Sequence, residues 1–167
     1  GADHTARWRR RAMEPTQPGT RPFVLGLGQR QAYKNMAMLA RLCGPLDALG
    51  LDVRVVGEVD RAVFAAAGED IPANLHLLGR VDDDRLGELF AQALCFVFPS
   101  RLEGFGLPAI EAMACGCPMV AADASALPEV CGDAALLAAP DDTLAWIDAI
   151  RRLRDQPALR TRLAEKG

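Results

Sequence analysis

The amino-acid sequence predicts an α/β domain with a doubly wound, Rossmann-like parallel sheet of about six strands. Short apolar runs alternate with segments of helical periodicity along most of the 167 residues. Strands that are short and apolar throughout are typical of a parallel sheet covered on both faces. With 50% apolar and 25% charged residues, the chain has the composition of a soluble globular domain.

Each predicted strand is followed by a helix or a helical turn. The first strand ends at Gly28, and the helix behind it ends before Gly50, a residue typical of a helix C-terminus. The predicted strands cover residues 23–27, 53–56, 75–78, 95–98, 118–122 and 135–138. The predicted helices cover residues 36–49, 60–67, 83–93, 108–114, 127–130, 143–154 and 158–164.

Residues 1–21 are predicted to be the remnant of an interdomain linker, and residues 22–167 the Rossmann-like domain. Arginines stand at positions 7 and 9–11, and residues 14–21 have the proline and glycine content of a connector. No apolar run follows the arginines, so neither a signal peptide nor a membrane span is predicted there. Contact with an anionic membrane surface is the alternative for this basic stretch.

Composition excludes several classes of function. The net charge of -3 gives no overall basicity that would point to nucleic acid. The five cysteines are an odd number and lie mostly in apolar segments, which indicates a reducing, cytosolic compartment. No metal site is expected, because Cys115 and Cys117 are too close for a zinc knuckle and the chain has only two histidines. The same shortage of histidine leaves no triad for hydrolysis.

Two loops are expected to meet at one crevice. In a doubly wound sheet of the usual order the first and fourth strands are neighbours, so residues 28–35 and 99–108 leave the same edge. The second loop leads into a helix with Pro108 near its start, where unpaired amides bind anions. Lys34, with Arg30 as a second cation, would add positive charge from the facing loop. A diphosphate fits this description.

Glu103 and Glu111 are separated by seven residues and would contact different parts of one extended ligand. Ionised carboxylates suit sugar hydroxyls because they accept charge-assisted hydrogen bonds. Structural alternatives stay open for single residues. Lys34 could be an exposed residue early in a helix, and Glu111 a carboxylate near the positive end of a helix.

Two further motifs are assigned to structure rather than to binding. Gly26-Leu27-Gly28 follows a strand as in dinucleotide sites, but Gln31 occupies the place of a third glycine. Asp82-Asp83-Asp84 imitates a metal-binding Asp-X-Asp, but it precedes a predicted helix, where acidic residues cap the first turn.

The second loop and the segments after it closely resemble glycosyltransferase group 1 (family 4), which has the GT-B fold. The resembling segments are Pro99–Pro108, Glu111–Ala114, Gly116, Pro118, Leu127–Val130 and Gly132–Ala134, and the likeness runs in order over residues 22–166. Residues 1–4 are similar to the segment by which the family's chain passes between its domains. The resemblance therefore implies an N-terminal acceptor domain that precedes this chain.

The resemblance also implies a role for each matching residue. Glu103 would contact hydroxyls of the donor sugar, Glu111 the ribose, and Lys34, followed by Asn35, the diphosphate. Gln29 takes the place of the family's loop arginine, and Arg30 lies one position later. The expected catalytic residues are Glu103 and Lys34. The expected donor-binding set, with the base near the end of the third strand and no metal, is Gly28, Arg30, Lys34, Arg80, Val81, Glu103, Gly104, Phe105, Gly106, Leu107 and Glu111.

The implied function is the donor-binding half of a retaining, metal-independent hexosyltransferase that acts in glycan or polysaccharide synthesis. Its donor would be GDP-mannose or a UDP-sugar, used as substrate without any cofactor, and residues 127–137 resemble mannosyltransferase-like members. The acceptor is not identified. The expected location is the cytoplasm or the inner face of the membrane, which the absent half would contact.

The chain alone is expected to be inactive, because nothing in it would position the attacking hydroxyl of an acceptor. The open mouth of the crevice would be covered by the acceptor domain or by self-association. The alternative from another class is a non-catalytic nucleotide-sugar-binding or interaction module. Retention of Lys34, Glu103 and Glu111 favours catalysis in the parent protein.

Overall fold

The computed structural model describes residues 20–65 and 70–167. The predicted linker therefore lies outside the described residues, except for Thr20 and Arg21. Arg21 contacts the domain: its guanidinium donates to the Gly50 carbonyl at 3.2 Å and lies 3.1 Å from Asp47 and 3.2 Å from Asp52.

The strands form one parallel sheet of six in the order β3-β2-β1-β4-β5-β6. This order confirms the predicted doubly wound arrangement, with β1 and β4 adjacent at the point where the strand order reverses. The strands are β1 Phe23–Gly28, β2 Asp52–Gly57, β3 Leu75–Gly79, β4 Cys95–Phe98, β5 Met119–Ala122 and β6 Ala135–Ala138.

Helices flank the sheet, and α1 packs against α5 while α3 packs against α4. The helices are α1 Met36–Ala48, α2 Asp83–Gln92, α3 Leu107–Ala114, α4 Leu127–Cys131, α5 Thr143–Asp155 and α6 Pro157–Lys166. Within the described ranges, none of them is both long enough and apolar enough to span a membrane.

The helix predicted for residues 60–67 is wrong as stated. The described part of this segment holds a single 3₁₀ turn, Arg61–Val63, which the Asp60 side chain caps by accepting from the Ala62 amide at 3.0 Å. Residues 66–69 lie outside the described residues. Phe64 is buried directly after the turn. A single turn therefore suffices to pack this apolar residue against the core, without a longer helix.

The capping role of the acidic run before α2 is confirmed. The Asp82 carboxylate accepts from the Arg85 amide at 2.8 Å, and Asp83 and Asp84 occupy the first turn of the helix. This side chain thus satisfies one of the amides that a helix start leaves unpaired.

The core lies between the sheet and its helices. Leu25 of β1, Phe96 of β4 and Trp146 of α5 have no solvent-exposed surface. The Trp146 indole N–H donates to the Ala139 carbonyl at 3.0 Å, so its polar atom is also satisfied. The five cysteines are buried as thiols. The central strands are therefore held rigidly, and the loops at their carboxyl ends start from fixed points.

Candidate functional site

The loops that leave β1 and β4 contact each other, as the topology predicts. β1 pairs with β4 through Val24 opposite Cys95 and Leu25 opposite Phe96. Beyond the strands, the Arg101 amide donates to the Tyr33 carbonyl at 2.7 Å. This backbone bond joins the two loops directly and defines the crevice between them.

Lys34 and Glu103 form an ion pair across this crevice, in which the lysine ammonium donates to Oε1 of the glutamate. Their side chains are only 13% and 9% exposed. Both charges are therefore partly withdrawn from water, which strengthens their interaction relative to an exposed pair. The structure brings together the two residues that the sequence singled out for catalysis.

Asn35 ties three loops together behind this pair. It is buried and has a left-handed backbone with φ of 57°. Its side-chain amide donates to the Pro99 carbonyl at 3.1 Å and to the Pro140 carbonyl at 3.0 Å. Asparagine is among the few residues other than glycine that favour this conformation. An asparagine directly after Lys34 is therefore the sequence signal for a left-handed residue at this position.

Arg101 extends the same network and was not predicted as a site residue. Its guanidinium binds both carboxylate oxygens of Asp141, with Nη1 to Oδ2 at 2.7 Å, and lies 3.4 Å from Asn35 Oδ1. This bonding raises the pKa of Arg101 and lowers that of Asp141. Arg101 is 40 positions from Asp141 and 66 from Asn35, and no sequence pattern indicates that such distant residues meet.

The start of α3 offers free backbone donors to the crevice. Gly106 precedes the helix with φ of 60°, and Pro108 lies in its first turn. In the part of the chain that the structure describes, the amides of Gly104, Phe105, Gly106 and Leu107 donate to no protein acceptor. Phe105 is 81% exposed. The turn thus presents amides and the positive end of a helix dipole, as an anion site requires.

Glu111 lies on α3 and is half-buried. Burial raises the pKa of its carboxyl group, and the negative charge of Asp83 raises it further. A hydrogen-bond donor on a ligand would stabilise the charged form of this carboxylate.

Three of the remaining predicted residues line an open cleft of about 430 Å³ at the carboxyl ends of β1 and β2. Gly28, Arg30 and Arg80 line it, and Arg80 lies 3.0 Å from Glu58. A Cβ atom at Gly28 would be 2.3 Å from Val59 Cγ1, so a side chain at this position would require Val59 to shift. Val81 is half-buried and packs against the core. Arg30 is thus at the rim of this cleft, and no described contact places it with Lys34.

A larger cavity of about 560 Å³ lies at the amino ends of the central strands, beside Phe23, Leu94 and Pro118. Its two arginines are engaged: Arg154 donates to the Leu49 carbonyl at 3.0 Å and Arg160 to the Leu153 carbonyl at 2.6 Å. Ligands of open α/β sheets bind at the carboxyl ends of the strands. The smaller cleft and the crevice therefore form the better candidate site.

The sequence matches a known protein family, curated relatives and solved structures. The family described as glycosyl transferases group 1 matches residues 9–167. O-antigen chain mannosyltransferase B of Escherichia coli is 51% identical over 76 residues, which cover 46% of this chain and 19% of that protein. O-antigen chain mannosyltransferase RfbU of Salmonella typhimurium is 39% identical over 80 residues, which cover 48% of this chain and 23% of that protein. The aligned part is thus less than a quarter of either relative's length.

Among solved structures, the C-terminal domain of a group 1 family glycosyl transferase from Francisella tularensis superposes with a TM-score of 0.71. The two chains are 23% identical, and the match covers 95% of this chain and 87% of that one. The six-stranded sheet flanked by helices is therefore the Rossmann-like fold found in GT-B glycosyltransferases.

Proposed function

Since this chain belongs to the group 1 glycosyltransferases, we propose that it is the donor-binding domain of a retaining enzyme that transfers a hexose from a nucleotide sugar without a metal ion. The observation that carries the proposal is the Lys34–Glu103 pair beside the free amides of Gly104 to Leu107. The pair places a positive charge, which suits the diphosphate, next to a carboxylate, which suits the sugar hydroxyls.

In the proposed complex, the diphosphate lies against the start of α3 and the Lys34 ammonium. When the bond between the sugar and the phosphate breaks, negative charge develops on the leaving phosphate. Fixed donors stabilise that charge more in the transition state than in the ground state, which is how they would contribute to catalysis. Lys34 and the amides would thereby supply the charge that a metal ion supplies in other transferases.

Glu103 would hold the sugar. Its carboxylate is acceptor-only when ionised and can take hydrogen bonds from sugar hydroxyls while it stays next to Lys34. Glu111 would accept from the ribose hydroxyls. Arg80, Arg30 and Gly28 would surround the base in the open cleft, with Val81, the neighbour of Arg80 in sequence, packed against the core.

We propose mannose as the sugar and GDP-mannose as the donor, with a UDP-sugar as the alternative. The curated relatives quoted above are named mannosyltransferases. Their names apply to proteins that this chain matches over less than a quarter of their length. The same proposal includes an acceptor, and an acceptor domain that would complete the crevice. It also places the activity in the cytoplasm at the inner membrane face and holds that the isolated chain is inactive.

Exposed apolar residues at the crevice support an additional covering domain. Leu102, Phe105, Leu107 and Ile110 are all more than 40% exposed and lie in the loop before α3 or in its first turn. Surface of this kind is usually covered by a partner. An acceptor domain would cover it and exclude water from the reacting atoms.

Isothermal titration calorimetry with GDP, UDP and ADP, each with EDTA and then with magnesium, tests the proposal. We expect binding in EDTA, with GDP the tightest. Binding only in magnesium would contradict the metal-free reading, and binding of none would contradict the donor site. A radiolabelled GDP-mannose assay on the longer parent protein and its Glu103→Ala variant tests transfer. A fully active variant would remove Glu103 from the mechanism.

A further inference from the structure

Ser125 holds both backbone groups of Glu103 with a single hydroxyl. The Glu103 amide donates to Ser125 Oγ at 3.2 Å, and the same hydroxyl donates to the Glu103 carbonyl at 2.9 Å. The two residues are 22 positions apart. In the described part of the chain, these are the only hydrogen bonds of the Glu103 backbone.

The backbone of Ser125 is strained in a way that marks functional sites. Its φ is 55°, and among the described residues other than glycine only Asn35 shares this left-handed conformation. Such a conformation costs free energy in a residue with a Cβ atom and persists where surrounding contacts compensate. Both left-handed residues adjoin the ion pair, since Asn35 follows Lys34 and Ser125 binds Glu103.

Ser125 is also anchored to the rigid part of the domain. It lies in the short turn between β5 and α4, where the Asp123 amide donates to the Ala138 carbonyl at 2.8 Å and the Leu127 amide to the Ala124 carbonyl at 3.2 Å. Ser125 is exposed, as are Leu102 and Gly104 on either side of Glu103. The hydroxyl therefore connects the loop after β4 to the turn after β5, whose two ends are hydrogen-bonded.

We propose that Ser125 is a positioning residue that aligns Glu103 with the donor sugar. Glu103 is held at two points, at its carboxylate by Lys34 and at its backbone by Ser125. The inference rests on the proposed function, in which Glu103 contacts the sugar and the amides and Lys34 contact the diphosphate. Loss of the hydroxyl should therefore weaken recognition of the sugar and leave recognition of the diphosphate nearly unchanged.

The test compares Ser125→Gly and Ser125→Ala with the unsubstituted chain by calorimetry, using GDP, GDP-mannose, UDP and UDP-glucose as probes. Glycine adopts the left-handed conformation without strain, so the fold and Tm should be retained. We expect the Kd of the preferred nucleotide sugar to rise about three- to tenfold in both variants, and the Kd of its nucleoside diphosphate to change less than about twofold. Thr161→Ala, which removes a hydroxyl from exposed α6, is the matched control and should change neither.

A double-mutant cycle separates positioning from a merely structural role. If Ser125 acts through Glu103, then Ser125→Gly should weaken sugar binding no further in a chain that already carries Glu103→Ala. Additive losses, or an unchanged Kd for the nucleotide sugar in Ser125→Gly, would overturn the inference. Failure of the unsubstituted chain to bind any of the four compounds would overturn instead the donor-binding function on which the inference rests.

Discussion

The Lys34 ammonium lies against the Glu103 carboxylate, although 69 positions separate the two residues in the chain. The pair joins the loop after β1 to the loop after β4 at the switch point of the sheet. A sugar diphosphate needs a cation and a hydroxyl acceptor at neighbouring points. The geometry of this pair therefore suits one ligand that contacts both side chains.

Replacing Lys34 by methionine should weaken both binding and folding. The variant leaves the partly buried Glu103 carboxylate without its cation, so we expect a loss of about 1–3 kcal/mol in the free energy of unfolding. The Kd for GDP should rise about tenfold or more because a charge-assisted contact to phosphate is lost. Urea denaturation and calorimetry measure the two effects.

Lys166→Met is the matched control for that prediction, since Lys166 pairs with Asp133 at 2.7 Å on the exposed surface. It should change stability little, because exposed ion pairs contribute little, and leave GDP binding unchanged. Equal effects of the two substitutions on GDP binding would argue against a diphosphate contact by Lys34.

Substitutions of Asn35 should separate its backbone role from its side-chain role. Asn35→Gly keeps the left-handed conformation but loses the bonds to the Pro99 and Pro140 carbonyls, which should cost about 1–2 kcal/mol. Asn35→Ala loses the same bonds and adds strain, so it should cost about 1 kcal/mol more. Chemical denaturation checks the order. An alanine variant as stable as the glycine variant would show that the conformation carries no cost.

Gly106→Ala should disturb the start of α3. The φ of 60° is unfavourable for alanine by about 1–2 kcal/mol, and the new Cβ would lie 3.4 Å from Leu127 Cδ2. Reorientation of the neighbouring amides should also weaken GDP binding. Gly44→Ala inside α1 is the control, because its Cβ meets nothing within 4 Å, and it should stabilise by about 0.5–1 kcal/mol. Unaltered GDP affinity in Gly106→Ala would separate the amides from the ligand.

Glu111 should make stability depend on pH. Because burial and the charge of Asp83 raise its pKa in the folded state, the unfolded chain loses this proton first as the pH rises above about 4.3. The folded state is therefore progressively disfavoured through that window, and stability from this residue is greatest at lower pH. Glu111→Gln should be more stable than the unsubstituted chain at pH 7, with the difference vanishing toward pH 4.

The same variant should bind GDP less tightly, because an amide oxygen is a weaker acceptor for ribose hydroxyls than a carboxylate. Glu165→Gln on exposed α6 is the control and should show neither effect. A stability difference for Glu111→Gln that persists unchanged at pH 4 would contradict the assigned cause.

The cysteines should be unreactive in the folded chain. Burial raises the pKa of Cys43 and Cys131 to about 11 and that of Cys95 to about 12. Burial also raises the pKa of Cys117 well above its ordinary value, with the neighbouring thiols adding to the effect. At pH 8 roughly one thiol in a thousand or fewer would be ionised at these positions. Mass spectrometry after iodoacetamide treatment should show five labels in urea and few without it; rapid native labelling of Cys95 would contradict the burial.

The strand order, most of the helices around the sheet and the crevice between two loops were predictable from sequence. Apolar runs that must be buried on both faces predict parallel strands, and the doubly wound order then places residues 28–35 opposite residues 99–108. The helix predicted over residues 60–67 was wrong, because the segment holds only a 3₁₀ turn in its described part. So short a pattern of apolar residues does not distinguish a helix from a turn that buries Phe64. Loop glycines and Lys34 were recognisable because their chemistry is local.

Only the tertiary structure decided which atoms meet in that crevice. Four contacts there join residues that are 22 or more positions apart in the chain. They are the Lys34–Glu103 pair, the bonds of Asn35 to two prolyl carbonyls, the bond of Arg101 to Asp141 and the bonds of the Ser125 hydroxyl to Glu103. Hydrogen bonds act over about 3 Å and depend on direction, whereas periodicity places a residue only on a face or in a loop. The sequence thus determined the fold and the residue types at its switch point. Their alignment was decided by two left-handed residues, Asn35 and Ser125, which hold the loops at distances that no local pattern encodes.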